Sequence, residues 1–202
     1  MSTTFEVLPG KAYIPSFDEI LTASNSFLSD YLIRHGIDKQ FRIQVMVKKG
    51  HQDIVTALSD PAVWQEDEYA WFWVSGHAGG SDAYFWQFDE LDIECWKDMV
   101  PDEGKAYAYQ EVLKAGIGLG YSWRFRRSAG QPAIISLAYG MVAAAYAMYT
   151  GGLICSGDSA WDNKLFPAEY NDFLERYFNP GREAGEYRDW AKRCLKALRS
   201  GK

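Results

Sequence analysis

Apolar residues recur along the chain at two spacings, and each spacing predicts a different element. Residues 17–34 repeat them every three or four positions, which predicts a helix, and Ser16 and Glu19 before and inside its first turn fit a capping box. Strict alternation of apolar and polar side chains predicts half-buried strands at Phe41–Lys48 and Leu119–Arg126. The chain therefore combines helices with strands that have one buried face.

Two aromatic runs lie close together in the middle of the chain. Tyr69–Ser75 and Asp82–Phe88 each read as a strand, and glycines between them predict a hairpin with a flexible tip. Tyr69–Val74 is apolar on both faces. Such a strand is either central and covered on both sides, or it presents one aromatic face to a partner.

The remaining patterns complete the predicted architecture. They indicate helices at Gln52–Leu58, Asp89–Val100, Lys105–Ala115, Pro167–Tyr177 and Glu186–Arg199, and a short strand at Gly152–Ser156. Strands and helices follow one another without a regular βαβ rhythm. We therefore expect a single α+β domain over residues 1–202, with a mainly antiparallel sheet and helices packed against it.

One uncharged segment is apolar enough to raise the question of a membrane span. Ala133–Tyr149 contains six alanines together with Ser136 and Gly140. A membrane helix needs about 20 strongly apolar residues, and alanine contributes little to insertion. We therefore expect a buried Ala-rich helix, with Pro132 in its first turn and Gly151 at its end. The first residues show no secretory signal pattern, so a cytoplasmic protein is expected.

The composition argues against several classes of function and of site. Of the 202 residues 16% are aromatic, which indicates either an unusually aromatic core or an aromatic surface. The net charge of −6 argues against a general nucleic-acid binder. Three cysteines, distant in sequence and without a Cys-x-x-Cys pair, predict reduced thiols rather than a disulfide framework or a zinc site.

Negative charge and tryptophan coincide in one region. Between Asp60 and Glu103 the chain has twelve acidic residues, a single lysine and five of its eight tryptophans. One interpretation is an acidic, aromatic surface that binds a basic protein; the other is a solvated acidic face above tryptophans of the core. The candidate partner-binding residues here are Glu66, Asp67, Glu68, Trp71, Trp73, His77, Asp82 and Trp86.

Sequence motifs for catalysis are weak. The glycines of Gly116–Gly120 lack the spacing of a dinucleotide loop and lead into a predicted strand. Ser75, His77 and Asp82 lie in one glycine-rich turn, whereas a catalytic triad is assembled across a fold. The acids around Asp89–Glu94 match no standard cation loop and suit the start of a helix. We therefore assign no catalytic residue, no metal and no cofactor.

The C-terminal third carries a distinctive run, Thr150–Phe178. Asp158 and Asp162 bracket Trp161 in it. Aspartates in such loops often accept bonds from backbone N–H groups, so Trp161 filling the edge of the core between two loop-fixing acids is one interpretation. Direct contact of these three residues with a partner is the other.

This run resembles the immunity-type proteins that neutralise toxins of bacterial polymorphic-toxin and secreted-effector systems. The matching positions are Gly151, Gly152, Leu153, Ile154, Ser156, Asp158, Ala160, Trp161, Asp162, Pro167, Tyr177 and Phe178. The resemblance implies a small cytoplasmic α+β protein without a cofactor that acts by binding a cognate effector. It covers the last third of the chain, and residues 1–115 lie outside it.

Two main hypotheses follow. In the first, the chain is not an enzyme but an immunity protein, which neutralises a cognate toxin with a basic surface by stoichiometric association and binds neither nucleic acid nor membrane. In the second, it is a small hydrolase or ligand-binding enzyme with an aromatic cleft, which would join His77 to at least two carboxylates. A general adaptor module and homo-oligomerisation stay open.

Overall fold

A computed structural model describes residues 2–54, 56–98, 108–158 and 160–200. In them, seven strands form one antiparallel sheet in the order β3-β2-β4-β5-β6-β1-β7. The strands are β1 (Ser2–Leu8), β2 (Ile43–Lys49), β3 (Gln52–Ile54), β4 (Glu68–Val74), β5 (Ser81–Gln87), β6 (Tyr121–Ser128) and β7 (Leu153–Cys155). The predicted α+β class with a mainly antiparallel sheet is confirmed.

Six helices pack around this sheet in the described residues. They are α1 (Phe17–Arg34), α2 (Glu90–Asp98), α3 (Gln110–Leu119), α4 (Ala133–Thr150), α5 (Tyr170–Arg176) and α6 (Gly185–Ser200). Helices α1 and α4 lie against one face, here called the inner face, and α5 and α6 pack on α4. Helices α2 and α3 contribute Trp96, Leu113 and Ile117 to a smaller apolar cluster with Leu8 and Leu153, at the β1–β7 side of the sheet.

Helix α4 is the centre of the core. Its side chains are buried around nearly the whole circumference, which confirms the buried Ala-rich helix and is typical of a core helix in a soluble protein rather than of a lipid-facing span. Gly151 caps the end of the helix, as predicted, whereas Pro132 lies just before the first turn, as the N-cap, and not within it. Small side chains let neighbours approach closely: a Cβ added at Gly140 would lie 2.1 Å from the ring of Tyr177.

Helix α1 begins where the sequence predicts. The Ser16 hydroxyl accepts a bond from the Glu19 N–H at 3.2 Å, and the Glu19 carboxylate accepts one from the Ser16 N–H at 2.7 Å, which completes the predicted capping box. The buried residues of α1, among them Ile20, Leu28 and Tyr31, form the face that meets α4 and β2. The helical periodicity therefore predicted both the position of the helix and the side of it that is buried.

Two predicted elements differ in the structure. The prediction of a helix at Gln52–Leu58 is wrong. Gly50 and His51 form a two-residue turn instead, and Gln52–Ile54 pairs with β2 as strand β3. Helix α3 does not end at Gly116 but continues to Leu119, where Gly120 caps it. Parts of the helices predicted at Asp89–Val100 and Lys105–Ala115 lie outside the described residues.

The bounds of the C-terminal elements differ from the prediction. Helix α5 begins at Tyr170 instead of Pro167, because Ala168 forms a β-bridge with Ile154. Helix α6 is one residue longer at each end than the predicted Glu186–Arg199, and it buries Ala191, Cys194 and Leu198 on one side. The three cysteines are free thiols, as expected.

Candidate protein-binding surface

Strand β4 has two different faces, because successive side chains of a strand point to opposite sides of the sheet. Ala70, Phe72 and Val74 are buried on the inner face. Tyr69, Trp71 and Trp73 lie on the opposite face, here called the outer face, and are only half-buried. The strand is therefore central in the sheet and still presents aromatic rings to solvent.

Neighbouring strands extend this surface. Asp82 of β5 pairs with Trp71, which places Tyr84 and Trp86 on the outer face too, and Met46 of β2 pairs with Trp71 from the other side. We call the resulting group the aromatic band. It consists of the half-buried side chains of Met46, Tyr69, Trp71, Trp73, Tyr84 and Trp86.

A glycine keeps part of the band close to the sheet. A Cβ at Gly80 would lie 2.5 Å from both the Trp71 indole and the backbone oxygen of Phe72. Because only glycine leaves this space, the Trp71 ring can pack directly on the backbone just before β5. The ring position is thus set by backbone that is itself held in the hairpin between β4 and β5.

Strand β6 brings two arginines to the outer face, and they pair with the acids of this surface. Arg126 binds the Asp82 carboxylate at 2.7 Å and donates to the Tyr84 hydroxyl at 3.0 Å. Arg124 lies 4.2 Å above the Trp86 ring. Asp82 therefore does not present an unpaired negative charge.

Arg124 also joins three elements. Its Nε donates to Glu6 of β1 at 2.8 Å, and its Nη2 lies 3.3 Å from Asp92 of α2. The Trp86 indole N–H donates to the same Asp92 carboxylate at 2.8 Å. Burial alone would raise the pKa of Asp92, but the bonds from Trp86 and the Asp89 N–H, together with Arg124, outweigh it and lower the pKa. Asp92 is therefore held as a carboxylate.

Three predicted acids border the Tyr69 end of the band, in the turn before β4 and at its first residue. Glu66 and Asp67 are exposed, and Asp67 pairs with Lys49 at 2.6 Å. Glu68 accepts a bond from the Gln65 N–H at 3.0 Å. The structure thus places Asp82 opposite Trp71, in an ion pair on the sheet, and the other three acids beyond Tyr69, at the start of β4.

His77 lies in the exposed turn between β4 and β5. Its Nδ1 is 3.1 Å from the Ser75 carbonyl oxygen, and its ring meets the Phe41 ring edge-on, with 5.3 Å between the centroids. The neighbouring glycines are explained by the hairpin turn. His77 remains beside the aromatic band as a candidate rim contact.

The three predicted residues of the C-terminal run do not join the aromatic band. Trp161 is 0% exposed and packs against Phe178 and Trp190, so it belongs to the core and not to a partner surface. Asp158 accepts a bond from the Thr4 N–H at 3.0 Å, which ties the loop to β1. The C-terminal run lies at the β7 edge of the sheet. Strand β7 is four strands from β4, roughly 20 Å away at ordinary strand spacing.

Asp162 has a comparable structural role. Its side chain accepts a bond from the Lys164 N–H at 3.0 Å, which caps the short 3-10 turn Asn163–Leu165, and it lies 3.5 Å from an Arg176 nitrogen. The bonds of Asp158 and Asp162 support the interpretation in which the two acids fix the loop around a buried tryptophan, while partner contact of these two acids stays a prediction.

Sequence reasoning missed five members of this surface: Met46, Tyr69, Tyr84, Arg124 and Arg126. The alternation in β2 and β6 does show that Met46, Arg124 and Arg126 share polar faces of their strands. What it does not show is that β6 pairs with β5, and this pairing is what sets each arginine beside an acid or an aromatic ring.

Two grooves in the described part of the chain do not join the groups that the hydrolase hypothesis requires. A groove of about 830 Å³ lies between α1 and β2, with Asp18 as its lining carboxylate. A second, of about 470 Å³, is lined by Glu6, Cys155 and Asp158 among others. His77 lines neither groove, and burial raises the pKa of the Cys155 thiol to about 12, which keeps it protonated.

Among the described residues, no group of three or more histidine, cysteine or carboxylate side chains is arranged to hold a metal ion. Comparisons of the chain with protein-family models, with curated proteins and with solved structures found no match.

Proposed function

We propose that the chain acts by binding another protein, and that this partner is a bacterial toxin which the chain neutralises as an immunity protein. The aromatic band of the outer sheet face carries the first part of the proposal. The resemblance of Thr150–Phe178 to immunity-type proteins of toxin systems carries the second.

The composition of the band suits a protein interface. Tryptophan, tyrosine, methionine and arginine are the residues that interfaces favour, and tryptophan and tyrosine dominate their binding energy. Here three tryptophans and two tyrosines sit side by side on rigid β4 and β5, held by sheet pairing rather than by a loop. A rigid aromatic surface loses little conformational entropy on binding, which favours affinity.

Charge at the rim supports a basic partner. Glu66, Asp67 and Glu68 lie together at the start of β4, next to Tyr69, where Lys49 pairs with Asp67 and Lys48 pairs with Asp53. Asp82 is already paired with Arg126, so the centre of the surface is closer to neutral than the sequence suggests. We expect the rim to steer a basic partner and set its orientation, and the aromatic centre to supply most of the affinity.

The resemblance to immunity proteins concerns residues that build the fold. Trp161 and Tyr177 are core residues, and a Cβ on Gly152 would lie 2.2 Å from the Leu8 carbonyl oxygen. A shared core with a separate recognition surface suits proteins that keep one scaffold and meet different partners. In this proposal the chain works in interbacterial competition, in the cytoplasm, without a chemical step of its own.

The test uses effector proteins encoded beside the gene of this chain, produced in a bacterial host with and without the chain. We expect one effector to arrest growth, co-production of the chain to restore it, and the two purified proteins to form a stoichiometric complex. Changing both Trp71 and Trp73 to alanine should weaken the complex by about 30-fold or more, since each aromatic anchor contributes about 1–2 kcal/mol or more.

Tyr170→Ala is the matched control, because Tyr170 is also a half-buried aromatic residue but stacks on Phe27 on the helical side of the molecule. It should leave the affinity within about threefold of the original chain. Failure of every neighbouring effector to bind would contradict the immunity proposal. Unchanged affinity in the folded Trp71, Trp73 variant would contradict the assignment of the surface.

A further inference from the structure

Arg127 is a buried arginine without a counter-ion in the described part of the chain. Only 6% of the residue is exposed. The neighbouring Arg124 and Arg126 form ion pairs, as do Arg176 and Arg182, but Arg127 does not. Because Arg127 lies one position after Arg126 in β6, it points to the inner face, where no carboxylate pairs with it.

The guanidinium is also short of hydrogen bonds. Its two described bonds are long, 3.4 Å from Nη1 to the Ser128 carbonyl oxygen and 3.3 Å from Nη2 to the Thr3 hydroxyl. The buried Nε has no hydrogen-bond partner among residues 2–54, 56–98, 108–158 and 160–200. A guanidinium carries five N–H donors, and a buried donor without an acceptor costs about 1–3 kcal/mol. The Arg127 guanidinium therefore combines N–H donors and a positive charge, which together suit the binding of an anion.

Two aromatic rings flank the same guanidinium. Its carbon lies 5.7 Å from the centroids of both the Tyr139 and the Trp190 rings. Cation–π contact stabilises the positive charge and keeps the group in place, but ring faces do not accept the remaining N–H bonds in the way an oxyanion does. The two rings therefore hold the Arg127 guanidinium in place but leave its positive charge unneutralised.

A cavity of about 390 Å³ opens beside this group, between α4, α6 and the turn after β6. Its lining includes Arg127, Gln131, Ser136, Trp190 and Arg193. Arg193 supplies a second positive charge at the exposed side. Helix α6 is basic, since it contains five basic residues and two acids. The local field thus attracts anions toward the buried guanidinium.

We propose that this cavity is a binding site for a small molecule that carries an oxyanion, either a phosphate or a carboxylate group. The oxyanion accepts bonds from Arg127 and is held from the exposed side by Arg193. The site is independent of the aromatic band, which lies on the opposite face of the sheet.

The test measures binding of inorganic phosphate and, separately, of acetate to the purified chain, with potassium chloride at equal ionic strength as the reference. The reporter is the indole N–H resonance of Trp190 in a proton–nitrogen spectrum, assigned with Trp190→Phe. We expect one or both anions to move this resonance saturably, beyond any change caused by chloride. Phosphate alone, or acetate alone, would identify which oxyanion the site prefers.

Three variants localise the effect. Arg127→Lys keeps the charge but loses the planar fork, and Arg193→Gln removes the outer charge; each should weaken binding by about tenfold or more. Lys192→Gln removes a charge from the adjacent, exposed position of α6 and should leave binding within about twofold. Absence of a saturable shift with either anion would overturn the proposal, as would equal binding by all three folded variants.

Discussion

The two faces of the sheet use the same kinds of side chain for different purposes. On the inner face, Trp123 is 0% exposed, its indole N–H donates to the Ala62 carbonyl oxygen at 2.9 Å, and its ring packs on Tyr146. On the outer face, Trp71 and Trp73 are only half-buried. Burial under a helix makes an aromatic ring part of the fold. On the outer face helix α2 contacts the Trp86 end of the band through Asp92, while the half-buried rings of Trp71 and Trp73 stay accessible to a partner.

The same contrast applies to charge. Outer-face Arg124 and Arg126 are paired with acids, whereas inner-face Arg127 is enclosed by rings and a cavity. The high aromatic content therefore has two explanations at once, a core and a surface, which composition alone presents as alternatives.

Trp123→Ala should cost about 3–5 kcal/mol of unfolding free energy, because it removes a fully buried ring and leaves a cavity against Tyr146. Urea unfolding followed by far-ultraviolet circular dichroism measures this loss. Trp73→Ala on the outer face is the control and should cost about 1 kcal/mol or less. Similar losses for both tryptophans would show that the two faces are not energetically distinct.

Gly140→Ala should destabilise the chain by about 1–2 kcal/mol, although alanine is the better helix former by about 1 kcal/mol. The new methyl group would meet the ring of Tyr177, and this ring is held by its hydroxyl bond to the Ser136 carbonyl oxygen at 2.6 Å. Thermal unfolding at equal protein concentrations compares the two proteins.

Gly118→Ala in α3 is the matched control for the Gly140 substitution. A Cβ there meets nothing within 4 Å, so the propensity gain acts alone and the variant should be neutral or more stable by up to about 1 kcal/mol. If Gly140→Ala instead stabilised the chain, the Tyr177 ring would be able to move away from the new methyl group despite its hydrogen bond to Ser136.

Asp92→Asn should reduce stability by about 1 kcal/mol near neutral pH and by less in acid. Since the folded pKa of Asp92 is lowered, its carboxylate stabilises the fold above the unfolded pKa of about 3.9, and this contribution disappears as pH falls through the lower folded value. Unfolding free energies between about pH 6 and pH 2 should therefore converge for the two proteins. If the difference in unfolding free energy stays constant with pH, only the shape of the Asp92 side chain matters and not its charge. Asp53→Asn, which changes an exposed ion pair, serves as the reference.

Asp82→Asn should have the smallest effect, within about 1 kcal/mol, because Arg126 is half-exposed and solvent already screens the pair. Partner binding is the informative measurement: if Asp82 orients Arg126 in the interface, the affinity should change more than the stability. A stability loss above about 2 kcal/mol would instead make this pair a part of the fold.

Local patterns predicted the elements whose causes are local. The capping box of Ser16 and Glu19, the buried faces of α4 and α6 and the hairpin between β4 and β5 follow from neighbouring residues alone. The short β3 was missed because a two-residue turn and three residues give little periodicity to read.

The site was predicted less completely, since it depends on which strands become neighbours. The sequence places Asp82 among acids, but the order β5-β6 gives it Arg126 as a partner. Likewise, the exposure of Trp71 and the burial of Trp161 depend on which faces the helices cover. Residue types and spacing indicated an aromatic, acidic region; only the strand order shows which of its charges are neutralised.

The position of β1 has a consequence for synthesis. This first strand lies between β6 and β7, pairing Phe5 with Phe125 and Val7 with Ile154. During synthesis β1 is therefore exposed long before either of its neighbours is translated. Completion of the sheet waits for the segment around Ile154, so we expect folding to benefit from chaperones that shield β1 until then.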